Sequence, residues 1–286
     1  MGAVMATLRP RLHRYCARMV GSAFDGEDAV QEALAKAAEA FPKAGRIERP
    51  ESWVFRIAHN VALDALRRRK RQAARASDIG LAGLADPGAA ADVRVAVAAN
   101  LAAFMRLPVA QRSSVVLMDV LGHTLAETAE ILGVSVPAVK AALHRGRARL
   151  KEIADAPEDG PAPRLDATER KRLRAYADRF NARDFDALRD LLAEDVRLDM
   201  VNLRRRDGRK DVSLYFTRYA ELADWHFAPG QAEGRPALLV SDPADPTGAI
   251  GYVVLLDWEA GRIATIRDFR FGAYVMECLL VSPLGE

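Results

Sequence analysis

Lys140, His144, Arg145, Arg147 and Arg149 recur along a stretch in which Val139, Leu143, Gly146 and Leu150 keep a helical stripe. A helix with that pattern buries one side and offers cations to a polyanion on the other. Immediately upstream, Thr124-Leu-Ala-Glu127 is a capping-box pattern. Leu132-Gly133-Val134-Ser135 is a tight turn, with Ser135 placed to cap the next helix and Pro137 in its first turn. Two short helices joined this way have the layout of a helix-turn-helix, whose second helix enters the major groove of DNA. Ser135, Val136, Ala138 and Lys140 then lie near its N-terminus, where side chains reach base edges. His144, Arg145 and Arg147 lie further along, within reach of phosphate or base. An ordinary helical hairpin with a solvated basic face has the same pattern.

A second basic helix starts at Pro50 and runs out into Arg67-Arg68-Arg69-Lys70-Arg71. Trp53, Ile57, Val61 and Ala65 mark its expected inner face. Arg56, His59 and Asn60 add polar groups a turn apart. An aromatic ring beside cations suits unstacked single strands as well as duplex, although Trp53 on the apolar stripe reads equally as core. Asp28, Gln31 and Glu32, following Asp25 and Glu27, form an acidic ridge that cannot bind phosphate. A solvated helix face explains such a ridge; a functional role for it requires a basic protein partner.

In the second half, Asp199, His226 and Asp268 are the polar groups an enzyme could use. Asp199 alternates outward from Leu198 and Met200, His226 falls in an expected loop, and Asp268 can take either face of a strand. No pair stands at a spacing diagnostic of acid–base work. A binding pocket without chemistry is the simpler expectation there, with no ligand indicated. Arg204-Arg205-Arg206, Arg209 and Lys210 read as a solvated loop. Cys16 and Cys278, far apart in apolar-patterned segments, read as buried thiols in a reducing compartment. No cysteine or histidine spacing fits a zinc site, and no cofactor is implied.

The elements that position these residues follow from periodicity. Leu8, Leu12, Tyr15 and Met19 predict a first helix, interrupted at Gly21-Ser22. Asp25 is the expected N-cap of a second, with Val30, Ala33, Leu34, Ala37 and Phe41 on one side and Pro42 at its end. An Ala-rich stretch then carries a helix near 90–105, and residues 109–121 a further one with Val115, Val116 and Val120 inside. After the proline-rich 154–166 segment the periodicity changes. Leu173, Tyr176 and Phe180 mark one helix, Phe185 to Leu192 another capped by Asp184, and Val212 to Tyr219 a third. Val196, Leu198 and Met200 alternate as a strand; PALLV, AIGYVVLLDW, RIATIRDFRF and YVMECLLV read as strands, with a hairpin turn at Glu259-Ala260-Gly261. Helices followed by an antiparallel sheet make an α+β domain.

The 286 residues suit two or three domains. Residues 1–152 hold 23 Lys and Arg against 15 Asp and Glu, and residues 153–286 hold 19 against 24. The net charge of +3 therefore conceals a basic half suited to a polyanion and an acidic half that is not. No apolar run is long enough for a membrane span, and Pro10 and repeated arginines interrupt the apolar run a signal peptide needs, so a cytoplasmic location is expected.

DGEDAVQEALAKA, ESWVFRIAHNVALDALRRRKR and LPVAQRSSVVLMDVLGHTLAETAEILGVSVPAVKAALHRGRARLKE, in that order and spacing, resemble the extracytoplasmic-function (ECF) sigma factors of bacterial RNA polymerase over about residues 5–152. The resemblance implies two all-α domains: region 2 at 1–75 and, after a linker at 76–104, a region 4 helix-turn-helix at 105–152. It implies that Asp25, Asp28, Gln31 and Glu32 dock on a basic coiled coil of core polymerase. Trp53, Arg56, His59, Asn60, Arg67 and Arg68 would face the promoter −10 element, with loop 42–50 capturing a flipped base. Helix 136–150 would enter the −35 element, where Ala141 and Ala142 replace the hydroxyl or arginine frequent in the family. Beyond a linker at 153–166, residues 167–286 resemble the SnoaL-like branch of the nuclear transport factor 2-like fold. Some ECF sigma factors carry such a domain as an in-cis regulator, which implies contact between it and the sigma regions. Two other readings stand beside this one: a helix-turn-helix regulator with a small-molecule-sensing domain, and a SnoaL-like enzyme with a DNA-binding appendage.

Overall fold

The computed structural model describes residues 2–78, 101–154, 165–203 and 205–284. The chain forms two compact units, Met1–Pro161 and Ala162–Glu286.

In the first unit, α1 (Gly2–Val20) ends at Gly21, whose φ of 83° is the left-handed conformation of a helix C-cap. Ser22 then takes extended backbone and its hydroxyl accepts the Asp25 amide at 3.2 Å, starting α2 (Ala23–Ala40). The N-cap is therefore Ser22 rather than Asp25, which sits inside the first turn facing the helix dipole. A short 3-10 turn, Phe41–Lys43, follows α2. The third helix, α3 (Pro50–Asp78), begins at Pro50 as expected. Its buried stripe is Val54, Phe55, Ala58, Val61 and Ala62. Trp53, Ile57 and Ala65 are only half-buried, a rotation of the expected face, because α3 packs on α1 and α2 along one side and on a later helix along another.

The rest of this unit holds α4 (Leu101–Met105), α5 (Val109–Val115), a π-turn over Val116–Val120, α6 (Leu125–Leu132) and α7 (Val136–Ala154). The single helix expected over 109–121 is split because the wider turn, closed by Leu121 N–H on Val116 O at 3.1 Å, keeps Val115, Val116 and Leu117 all buried. Residues 90–100 of the expected 90–105 helix, and most of both expected linkers, lie outside the described residues. Leu12, Tyr15, Met19 and Phe55 share one hydrophobic cluster with Phe104, Val115, Val116, Ile131 and Leu143. The regions expected as two separate helical domains thus pack on a common core.

The second unit opens with α8 (Ala167–Asn181), capped by a reciprocal Asp166–Glu169 box, then α9 (Phe185–Asp190), capped by Asp184. Leu192, expected in that helix, begins β1 (Leu192–Met200). There follow β2 (Arg206–Asp207), α10 (Arg209–Ala220), β3 (His226–Ala232), β4 (Arg235–Ser241), β5 (Ile250–Glu259), β6 (Arg262–Asp268) and β7 (Val281–Pro283). The sheet order is β2-β1-β6-β5-β4-β3-β7. One pairing, β1 with β6, is parallel rather than antiparallel, because β1 reaches β6 only through a crossover that includes α10. The hairpin between β5 and β6 turns at Ala260 and Gly261, both at positive φ. Phe180 of α8 is fully buried among Phe227, Trp225, Tyr219 and Phe185, with ring centroids 4.0 to 5.5 Å away. After β6, the segments expected to continue as strands form instead a kinked 3-10 stretch, Arg270–Cys278, which packs on β5. Its apolar residues cover one sheet strand instead of pairing with it.

A testable consequence concerns Gly26, where a Cβ would stand 2.6 Å from Ala17 Cα, a backbone atom that cannot swing aside. Gly26→Ala should destabilise the first unit by about 1–3 kcal/mol despite its better helix propensity, read as a lower thermal midpoint of the full chain.

Candidate nucleic-acid interface

The helix-turn-helix forms from the signals that announced it. The Thr124 hydroxyl accepts the Glu127 amide at 3.3 Å, and the Glu127 carboxylate accepts the Thr124 amide at 2.8 Å. The Thr124 amide, and the Thr124 hydroxyl donating at 2.8 Å, hold the Glu127 carboxyl below its ordinary range. Gly133, at φ 68°, closes α6. Ser135 reaches the Ala138 amide at 3.4 Å and starts α7. Val139, Ala142, Leu143 and Gly146 are buried, and a Cβ on Gly146 would stand 2.7 Å from Val115, so this glycine sets how close α7 lies to α5. Ser135, Ala138, Lys140, His144 and Arg145 are exposed, and Val136 is half-buried. Arg147 is drawn aside: it holds Asp119 through two hydrogen bonds of 2.9 and 2.5 Å, which raises its pKa further. Lys140, His144, Arg147 and Lys151 rim a groove of ≈ 620 Å³ floored by Met118, Leu125 and Leu143.

On α3 the expected contact residues separate. Arg56, Asn60, Arg67 and Arg68 are exposed and Trp53 half-buried. His59 is buried, with its Nδ1 2.6 Å from the Tyr15 hydroxyl, and burial alone pushes its pKa down to about 4. It is a neutral part of the core and not a surface cation. Arg67 pairs with Asp64 at 2.9 Å, and Arg68 with Glu32 at 3.0 Å.

The acidic ridge is real as a surface and uneven in its parts. Asp28 and Gln31 are exposed; Asp25 and Glu32 are half-buried. Glu32 accepts from Lys36 at 2.7 Å and from Arg68, bonds that hold its carboxyl below the usual range. Asp25, Asp28 and Glu32 line one wall of a ≈ 260 Å³ groove whose other wall carries Arg68 and Arg69. The residues expected to bind protein thus meet two from the basic run.

Several residues that matter were not singled out from sequence. Glu27 is buried and paired with Arg9 of α1. Arg112, only 4 % exposed, donates to the carbonyls of Met19, Met105 and Leu107. Glu130 of α6 accepts from Arg49 and Arg56. A lone arginine in an otherwise apolar helical face was the available signal for Arg112; the other two depend on which helices meet.

In the second unit the three candidate catalytic groups do not converge. His226 opens β3 rather than lying in a loop, and its side chain is exposed. Asp199 pairs with Arg267 at 3.3 Å. Asp268 aligns with Met200, one position along from Asp199, and so projects from the opposite face. It is fully buried and accepts hydrogen bonds from Tyr215 at 2.9 Å, Tyr219 at 2.8 Å and the Arg270 amide at 2.7 Å. Burial pushes its carboxyl up, and those donors pull it partly back. Tyr252, pushed up to about 12 by burial, links Tyr219 to the Arg270 guanidinium, which also holds Asp224. Both cysteines are buried free thiols, as expected, and burial pushes Cys16 well up. The segment expected as a solvated loop is largely structured: Arg206 lies in β2, and Arg209 and Lys210 begin α10, where Arg209 pairs with Asp190 and Glu194; Arg205 pairs with Asp207, and Arg204 lies outside the described residues.

Comparison with known proteins agrees with this division of the chain. Residues 4–72 match the family model for Sigma-70 region 2, residues 101–150 that for Sigma-70 region 4, and residues 173–266 that for a SnoaL-like domain. ECF RNA polymerase sigma factor SigM of Mycobacterium tuberculosis is 36% identical over 144 residues, half of this chain and 71% of that protein. SigG of the same species is 32% identical over 219 residues, 67% of this chain and 59% of that one. The solved structure of M. tuberculosis extracytoplasmic function sigma factor SigJ covers 96% of this chain and 99% of its own, at 19% identity and a TM-score of 0.38. Helical sigma regions 2 and 4 are followed here by a SnoaL-like domain of helices and sheet. The chain belongs to the ECF family of RNA polymerase sigma factors.

The buried histidine gives a pH test. The folded His59 pKa of about 4 lies below its ordinary 6.5, so the unfolded chain takes up the proton first as pH falls. This contribution is fully present above pH 6.5 and is lost between 6.5 and about 4, on the order of 3 kcal/mol. His59→Gln should flatten the loss of thermal stability over that window, measured by melting the full chain across pH.

Proposed function

We propose that the first unit carries this chain onto core polymerase and positions it on promoter DNA, with α7 in the −35 major groove and α3 along the melted −10 strand. The observation that supports it best is the pairing, in one chain, of a helix-turn-helix with an outward basic face and a second helix that sets Arg56 and Asn60 beside half-buried Trp53. Ser135, Val136, Ala138 and Lys140 sit where base edges are reached, and His144 and Arg145 where phosphates pass. Arg147 joins them only by leaving Asp119. Arg56, Asn60, Arg67 and Arg68 track the separated strand, which costs a few kcal/mol per unstacked base unless the base finds a stacking partner such as Trp53. His59 supports this surface from beneath through Tyr15.

Asp25, Asp28, Gln31 and Glu32 meet a basic surface of the polymerase, the kind of partner an acidic ridge inside a basic unit selects. The chain does no chemistry of its own in this role, because nucleotide addition belongs to the polymerase, and it acts in the cytoplasm. The SnoaL-like unit regulates the sigma regions in cis. The non-convergence of Asp199, His226 and Asp268 favours regulation over turnover.

Run-off transcription with purified core polymerase tests the whole reading. Asp28→Lys, at an exposed position, should weaken core binding about tenfold, on the order of 1.4 kcal/mol, while leaving the fold intact. Unchanged binding would return the ridge to a solvated helix face. Truncation after residue 153 should change promoter-dependent transcription relative to the full chain, and equal output would remove the in-cis role.

A further inference from the structure

A second groove, of ≈ 500 Å³, runs along α7. His144, Arg145, Ala148 and Arg149 of α7 line one side of it, and Arg106, Pro108 and Gln111 line the other. That other side lies outside the helix-turn-helix: Arg106 stands in the turn between α4 and α5, and Gln111 in the first turn of α5. Arg106 and Arg145 are exposed, and neither side chain has a partner among the described residues. The acidic residue at this groove, Glu152, is taken by Arg149 at 2.7 Å.

We propose that this groove seats the sugar-phosphate backbone of duplex DNA flanking the −35 element, with Arg106 as a phosphate-holding residue outside the helix-turn-helix that fixes how α7 sits in the major groove. The proposal rests on the placement of α7 in that groove.

Helix length brings the groove to the backbone. From Val136 to Arg149 α7 rises about 20 Å, whereas the major groove is about 12 Å wide. A helix whose first turns reach base edges therefore has Arg145 and Arg149 at a sugar-phosphate wall. Arg106 is fixed beside them. The buried Arg112 donates to the carbonyls on either side of it, Met105 O at 3.1 Å and Leu107 O at 3.0 Å, so the backbone carrying Arg106 is pinned. Gly146 sets the spacing of the two sides, because a Cβ there would stand 3.3 Å from both Gln111 Cβ and its carbonyl oxygen. A pinned cation orders less backbone on binding than one on a free loop. Pro108 and Ala148 put neither charge nor a long side chain between the sides, so one phosphodiester run can meet cations from both. The Arg149–Glu152 pair is exposed, and such a pair yields to phosphate and its counterion release.

Anisotropy of a fluorescein-labelled duplex of randomised sequence, titrated with the full-length chain over a range of salt, tests this. Arg106→Ala should weaken binding about three- to tenfold at low salt and make the slope of log affinity against log salt shallower by about one, as loss of one phosphate contact does. Arg218→Ala, which removes an equal exposed charge from α10 of the second unit, should change neither. Ala138→Glu, at the exposed start of α7, reports the placement beneath the proposal and should weaken binding on its own. Loss with Ala138→Glu but not with Arg106→Ala would overturn the phosphate role and leave α7 in the major groove. No loss with Ala138→Glu would overturn the placement and the proposal with it. A loss with Arg106→Ala at unchanged salt slope would show that Arg106 holds no phosphate. An equal loss with Arg218→Ala would assign the effect to net charge and overturn the phosphate role as well.

Discussion

The C-terminus of α1 is the joint on which the first unit depends. A helix end leaves carbonyls without partners and carries the negative pole of the helix dipole. Here two guanidiniums take up those carbonyls: Arg69 of α3 reaches Val20 O at 3.0 Å, and Arg112 of α5 reaches Met19 O. One arginine comes from sigma region 2 and the other from region 4, so a local need of α1 ties the regions together. Burial and the neighbouring Arg69 lower the Arg112 pKa only to about 10, so it stays charged at neutral pH. Gly21 completes the joint. Its left-handed backbone turns the chain directly beneath Met105, where a Cβ would stand 2.4 Å from the methionine side chain.

A shared economy of charge follows from this packing. Arg68 is held by Glu32, Arg147 by Asp119, and Arg56 by the Glu130 carbonyl. Arg56, Arg67, Arg68 and Arg147, all assigned to DNA by the family resemblance, already have intramolecular acceptors, and these contacts are solvated. Contacts of that kind fix side-chain directions at little cost in free energy and yield to a stronger polyanion. The buried pairs behave differently. Arg9–Glu27 and the Arg112 cluster lie where an unpaired charge would be costly, so they define the resting architecture and do not exchange with a ligand.

The sequence revealed most where one local bond decides the structure. Thr124 and Glu127 specify a capping box, Gly133 a left-handed stop, and Ala260-Gly261 a hairpin turn, and each forms as read. It was less legible where two local solutions compete. Ser22 and Asp25 are both good caps, and Ser22 prevails because Gly21 places it at the break. The 226–232 strand was missed because Pro229 and Gly230 interrupt its pattern; Gly230 is needed there, with a Cβ position 2.5 Å from Leu239. YVMECLLV is apolar enough for a strand, but most of it packs on the sheet and only Val281 onward pairs in it. The surface residues of the candidate site were legible as types, whereas their partners were not, since Glu130 and Asp119 reach Arg56 and Arg147 only once distant helices meet.

Asp268 shows why burial, and not residue type, separates structure from chemistry in the second unit. A buried carboxylate demands donors, and Tyr215, Tyr219 and the Arg270 amide supply three. Each tyrosine comes from α10 and the amide from the chain just after β6, so the network pins that helix across the sheet to the strand paired in parallel with β1. Phe180 and its aromatic neighbours close around the same tyrosines, with Tyr219 5.2 Å and Tyr215 6.5 Å away. Asp268 therefore acts as a polar keystone in an apolar core. Such a group favours one packing of α10 over its alternatives, because any shift leaves the carboxylate short of a donor.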